Sequence, residues 1–259
     1  KAFQGNFDGQ GHAITLKCSG ERIGMFLDFQ YGVVENLTIK GSFHVTKYGG
    51  GAFCYWNQGT FKNCVNEADI TVEGSASAGG IVDSNYLASS PYYCTEAGKV
   101  IDCANYGTIQ GSGIAASSSS KSTISGCFNA GTVKDGGIVG INNGMVENCY
   151  NTGTVGDAET IAGGIVYISN GTVQKCYNVG KIQGNEKSGA IAGEIRGTNF
   201  RNYYLIGTAA SAVGDMPDGE DTAKTEAELK AAKIVGKKYL GIAYKVNPNN
   251  GYPLLTWQT

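Results

Sequence analysis

The sequence predicts an all-β chain: a right-handed parallel β-helix of about seven coils, with a small C-terminal capping segment that holds a short helix. Three observations carry this. A twelve-residue pattern recurs along the chain, a second apolar block precedes each copy, and the apolar residues of both are mostly Val and Ile. Short β-branched strands repeating at a fixed period are the mark of a solenoid.

The pattern is clearest in G-M-V-E-N-C-Y-N-T-G-T-V from Gly144 and G-T-V-Q-K-C-Y-N-V-G-K-I from Gly171. Copies also start at Gly59, Gly98 and Ser122, and degenerate ones at Gly32 and Thr198. The cysteine position of the pattern is then Leu37, Cys64, Cys103, Cys127, Cys149, Cys176 and Tyr203, with spacings of 27, 39, 24, 22, 27 and 27 residues. The long interval marks an insertion from Ser84 to Ala97. The upstream block reads G-G-I-V at Gly136 and Gly163, and recurs as G-M-F-L, G-A-F-C, S-G-I-A and G-A-I-A. A leucine-rich horseshoe has a similar period but needs leucine at most apolar positions, so it is set aside.

Stacked coils place equivalent residues above one another. Two core columns follow: Val34, Phe61, Val100, Ile124, Val146, Val173 and Phe200; and Phe26, Phe53, Ile81, Ile114, Ile138, Ile165 and Ile191. A column of Asn66, Asn105, Asn129, Asn151 and Asn178 reads as a turn ladder of side-chain amides. The cysteines project in parallel, which suits neither tetrahedral zinc nor a disulfide, so they are expected to be buried free thiols. Cys18, Cys54 and Cys94 lie outside that column.

Residues 1–207 are expected to form the helix and 208–259 its C-terminal cap, covering the open sheet edge. Thr225 and Glu228 form a capping box for a helix from Glu226 to about Lys233. Asn249 to Trp257 reads as a turn and a terminal strand. The acidic stretch Gly214 to Asp221 lacks regular calcium-loop spacing and is read as a solvated loop.

The 40 glycines, about twice the ordinary share, fit tight turns. A net charge of −2 leaves no footprint for nucleic acid. No run of 18 apolar residues occurs. The chain opens on patterned sequence, so a processed form or a monomeric piece of a longer protein is expected.

The opening Phe3-x-Gly5-x-Phe7-Asp8-Gly9-x-Gly11-His12-x-Ile14, the I-G-M-F block at Ile23 and the repeated G-G-I-V-G…N-C-Y-N-x-G-T-V units resemble GLUG-motif repeat proteins. K-T-x-x-E-L-K at Lys224 and N-N-G-Y-P-L-L-x-W-Q at Asn249 resemble the close of such regions. The resemblance spans nearly the whole chain. It implies a β-helix ectodomain of a bacterial, adhesin-like cell-surface protein, extracellular in location, and brings no catalytic residues.

The expected function is therefore a non-catalytic surface module for adhesion, glycan or host-protein binding, or spacing, without cofactor or metal. The rival is a β-helix polysaccharide lyase or glycoside hydrolase. Asp28 and Asp83, aligned with Tyr55, would stand too far apart for an ordinary inverting pair and are read as solvated. His12 and His44 sit in different coils, and Ser117–Ser120 has no acid–base partner at a recognisable spacing. A threonine column, Thr108, Thr132 and Thr154, is broken by Asp69 and Lys181, against ice binding. The candidate ligand site is aromatic: Tyr55 and Trp56 beside Asp83, with Tyr86, Tyr92 and Tyr93 from the insertion. Rings would take sugar C–H faces and Asp83 hydroxyl groups.

Overall fold

The computed structural model describes residues 2–86, 97–214 and 221–259. It is a parallel β-solenoid of about seven turns with a short C-terminal helix. One coil shows the unit. Strands Val139–Asn142, Met145–Glu147 and Tyr150–Asn151 are followed by single bridging residues at Val155 and Gly163, and Val166 begins the next coil. Each strand pairs in parallel with its equivalents above and below, forming a 13-stranded and a 10-stranded sheet. The first coils are built of longer strands, Ala13–Ile23, Phe26–Glu35, Thr38–Gly51 and Cys54–Lys62. Phe7 pairs with Val34 and Ala13 with Thr38, so the opening segment adds a partial coil beneath the Leu37 copy.

Val34, Phe61, Val100, Ile124, Val146 and Val173 stack in register and are fully buried, as are Phe53, Ile81, Ile114, Ile138, Ile165 and Ile191. The ends of both columns differ from expectation by one residue. Phe26 pairs with Cys54, so Met25 is the residue aligned with Phe53. The cause is a bulge, because the offset between these strands is 28 at Phe26–Cys54 and 27 at Val34–Phe61. Tyr31 and Gly32 absorb the extra residue, with φ of 57° and 112°. A side chain on Gly32 would meet the Gly5 carbonyl oxygen at 2.2 Å, so only glycine fits this bulge. At the far end Val173 pairs with Asn199 and Tyr177 with Tyr203. The last interval is thus 26 residues, and Asn202, not Tyr203, caps the cysteine column. Its Oδ1 accepts a bond from the Cys176 backbone N–H at 2.9 Å. Apolar matching favoured Phe200 over Asn199 and so slipped the register by one, which in a strand exchanges faces.

The five column cysteines are buried and free. Their thiols sit near carbonyl oxygens two residues earlier, as Cys103 Sγ to Ile101 O at 3.2 Å and Cys149 Sγ to Glu147 O at 3.1 Å. Burial pushes the thiols of Cys64, Cys103, Cys127 and Cys149 well above their usual range. Cys54 is buried too, Cys18 is half-buried, and Cys94 lies outside the described residues. In native protein a thiol reagent is expected to modify Cys18 promptly and the five column thiols only after denaturation. Peptide mapping of the label checks this, and rapid native labelling of the column contradicts the register.

The asparagine column is a continuous amide ladder. Asn66 Nδ2 donates to Asn105 Oδ1 at 2.7 Å, Asn105 to Asn129 at 2.7 Å, Asn129 to Asn151 at 2.7 Å and Asn151 to Asn178 at 2.8 Å. Each side chain also brackets its own corner, as Asn129 does by donating to Gly131 O and accepting from Gly131 N–H. The left-handed residues are elsewhere: Asn36, Asn63, Asp102, Gly126, Asn148, Lys175 and Arg201, each just before the cysteine position, have φ between 50° and 66°. The ladder therefore pins one corner and left-handed backbone turns the preceding one.

The C-terminal segment does two things. Backbone N–H groups of Ala190 and Ile191 donate to Ser211 O and Ala212 O, and Thr222–Lys224 pairs with Tyr203–Leu205, so this stretch covers edges of the last coil. Beyond it the chain turns back along the side of the solenoid. The capping box forms, but the helix is only Glu226–Lys230; Ala231 is extended and a 3-10 turn, Ala232–Val235, follows. Leu254–Leu255 then pairs with Tyr244–Lys245. This strap buries a second apolar cluster in which Leu229, Ile234, Leu240, Tyr244 and Leu255 lie on Phe128, Tyr150, Tyr177 and Tyr203. Those rings follow the cysteine position in successive coils and stack at 5.0 Å (Phe128–Tyr150) and 4.9 Å (Tyr150–Tyr177). The expectation of an end cover alone misses this side packing.

Candidate functional site

Three coils meet at one lateral surface near the N-terminal end. Arg22, next to last in the strand Ala13–Ile23, pairs with Gly49; Gly49 pairs with Ser77. Alongside run Tyr55 and Trp56, then Asp83 and Ser84, whose strand leads into Tyr86. The structure thus brings together Tyr55, Trp56, Asp83 and Tyr86. Tyr92 and Tyr93 lie outside the described residues.

The aromatic groups form a connected strip. The Tyr55 and Trp56 rings are 5.1 Å apart and those of Trp56 and Tyr86 6.5 Å, both stacked. Trp56 keeps 44% of its surface in solvent, unusual for the most apolar large ring in a coil this well packed. The Arg22 guanidinium lies 4.0 Å over the Tyr48 ring and 5.7 Å from the Tyr55 ring, which extends the strip to Tyr48, itself 41% exposed. Arg22 and Tyr48 were not among the candidates read from sequence. The signal that would have found them is the triple glycine Gly49–Gly51, which lets neighbouring coils approach closely just after Tyr48 in the strand Thr38–Gly51.

Asp83 has a different place from the one expected. It is only 4% exposed, its Oδ1 accepts from Ser77 Oγ at 2.5 Å and its Oδ2 from Ser84 Oγ at 3.0 Å. Both oxygens are occupied, so Asp83 braces the strip from beneath and does not meet sugar hydroxyls. A side chain on Gly49 would meet Asp83 Oδ1 at 2.4 Å. Asp28 is not its column mate: it pairs with Trp56, which pairs in turn with Ser84, and its carboxylate accepts from Gln30 Nε2 at 3.2 Å. The reading of Asp28 and Asp83 as solvated surface carboxylates fails for Asp83, which is buried.

Burial lifts the Asp83 carboxyl to about 6, against bonds from Ser77, Ser84 and the Gly50 backbone that pull it down. In the unfolded chain the group is an ordinary aspartate, so the folded state holds its proton more tightly. Its contribution to stability is complete below about pH 4 and is lost as pH rises through about 6. A rise of about two units corresponds to roughly 3 kcal/mol. Asp83→Asn is expected to flatten this decline when melting temperature is followed from pH 4 to 8. Parallel curves for the two proteins contradict the assignment.

Other candidates take structural roles. His44 Nδ1 is 2.9 Å from Thr71 Oγ1 and Nε2 is 2.8 Å from Glu73 Oε1, the one Thr–His–acid set among the described residues. It lies on an exposed sheet face, and Thr71 backbone groups belong to the ladder, so nothing there is arranged to hold an oxyanion. Ser117 Oγ donates to Ser84 Oγ, and Ser119 and Ser122 bond each other. Of the acidic stretch, residues 215–220 lie outside those described; Asp221 accepts from Asn199 and Asn202 at the coil end. Among the described residues no group of three His, Cys, Asp or Glu is placed to hold a metal, and no helix is long and apolar enough to cross a membrane.

No protein-family model and no curated protein matches the chain, so the motif resemblance to GLUG repeats carries no family assignment. The fold is similar to the crystal structure of a Bacteroides ovatus protein provisionally described as an immunoglobulin A1 protease. The TM-score is 0.61 at 20% identity, over 99% of this chain and 78% of that one. At that identity the likeness is one of fold.

Proposed function

We propose that this chain is a non-catalytic extracellular surface module of the adhesin-like kind, and that it binds glycan through the strip Tyr55–Trp56–Tyr86. The observation that carries the reading is Trp56, a solvent-facing indole flanked by stacked rings on a rigid, hydrogen-bonded wall. Such a ring gives a pyranose a flat apolar platform at little entropic cost, because the wall is ordered before the ligand arrives. The repeated coil supplies the rigidity. The GLUG-like motifs fit a role at the bacterial surface.

Fold likeness to a protein described as a protease is an analogy, and function rests on the site. The Thr71–His44–Glu73 set gives no specific support to proteolysis, for the reasons above.

The test is a broad glycan array read with wild type and Trp56→Ala. Truncating an exposed ring is expected to change stability by less than ~1 kcal/mol and to abolish the array signal. A variant that binds as wild type does, or that loses several kcal/mol, counts against the strip as a binding surface.

A further inference from the structure

We infer that Arg22 completes the strip as a carboxylate-recognising group, so that the ligand is an acidic saccharide bearing a uronic- or sialic-acid-type carboxylate. This rests on the glycan reading above and narrows it. The guanidinium carbon lies 4.0 Å over the centroid of the Tyr48 ring and 5.7 Å from that of Tyr55. Held over two rings, a planar fork of five donors is placed to pair with a carboxylate through two parallel bonds.

The charged groups around it are already committed. Lys47 pairs with Glu21 at 3.4 Å. Asp83 is buried and held by Ser77 and Ser84. Asp28 accepts from Gln30. Arg196, by contrast, shows what a saturated fork looks like here: its Nε and Nη2 donate to both oxygens of Glu194 at 2.6 and 2.9 Å. Among the described residues no carboxylate stands within ion-pair distance of Arg22. Contacts run without a break from Tyr48 through Arg22, Tyr55 and Trp56 to Tyr86. A saccharide that stacks on Trp56 and extends past the buried Tyr55 ring reaches a guanidinium with no carboxylate paired to it among the described residues. Lysine would not replace it, since an ammonium presents no planar fork.

The experiment is calorimetric titration at low salt with two probe pairs: trigalacturonate against its methyl ester, and sialyllactose against lactose. Proteins are wild type, Arg22→Gln, Arg22→Lys and Trp56→Ala. Wild type is expected to bind an acidic member at least tenfold more tightly than its neutral partner. Arg22→Gln is expected to erase that difference, and Arg22→Lys to lose most of it. Equal affinity for acid and neutral partner, or an acid preference that survives Arg22→Gln, overturns the role of Arg22 and leaves the glycan reading standing. Binding that ignores Trp56→Ala, or no binding of any probe, overturns both. The wild-type comparison of acid with ester decides the matter even where an Arg22 variant does not fold.

Discussion

Asn129→Leu is expected to lower the stability of the chain by about 4 to 6 kcal/mol. Asn129 sits in the middle of the amide ladder with no solvent exposure. It accepts from Asn105 at 2.7 Å, donates to Asn151 at 2.7 Å, and closes its own corner through Gly131 N–H and O at 3.2 and 3.1 Å. Leucine is of similar size, so the loss is not one of packing. It leaves four polar groups of neighbouring residues without this partner, each costing about 1 to 3 kcal/mol if buried and unrelieved, with relaxation recovering part. Against a typical total of about 5 to 15 kcal/mol that is a large fraction. Denaturant unfolding measures it. Asn178→Leu, at the end of the ladder, should cost clearly less, because only one neighbouring amide is orphaned. A loss under ~1 kcal/mol at Asn129 means that the ladder decorates the corners without holding them.

Tyr177→Ala is expected to free the C-terminal strap. This ring is wholly buried, stacked on Tyr150 and tilted against Tyr244, and its hydroxyl donates to Pro253 O at 2.5 Å. Truncation removes a ring from the centre of the side cluster at a cost of about 3 to 5 kcal/mol. The coils have their own core on the other side of the same wall, with Cys149, Val173 and Cys176 facing inward. The strap should therefore loosen before the solenoid does. Limited proteolysis is expected to remove the segment after Lys224 from the variant and not from wild type, with the β signal in circular dichroism retained. Loss of that signal together with the strap shows instead that the two unfold as one unit.

The parts legible in the sequence are those that repeat. Val146 and Val173, Cys149 and Cys176, Asn151 and Asn178 announce their columns because each coil solves the same packing problem with the same residue. Register failed where a coil departs by a single residue, at Tyr31–Gly32 and in the last interval, because apolar character alone matches Phe26 to Phe53 and Phe200 to Val173 as readily as the true partners. The strap was hidden for a related reason. Tyr150 and Tyr177 each follow a column cysteine by one residue, and nothing local says that Leu229, Leu240 and Tyr244 come back to cover them. Trp56, Tyr55 and Tyr86 were visible as neighbours of the insertion. Arg22 and Tyr48 were not, since their meeting depends on the register shift between the Gly20–Val45 and Arg22–Gly49 pairs. Asp83 was placed correctly along the chain, but its burial follows from Ser77 and Gly49, which belong to another wall.

The central claim is that this surface holds a glycan and leaves it unchanged. The most direct measurement is the mass of a saccharide hit recovered after prolonged incubation with saturating protein, run beside intact immunoglobulin A1 as a protein substrate. The account predicts quantitative recovery at unchanged mass, no new reducing ends and no immunoglobulin fragments, with binding lost in Trp56→Ala. Cleavage of either substrate by the purified chain contradicts it.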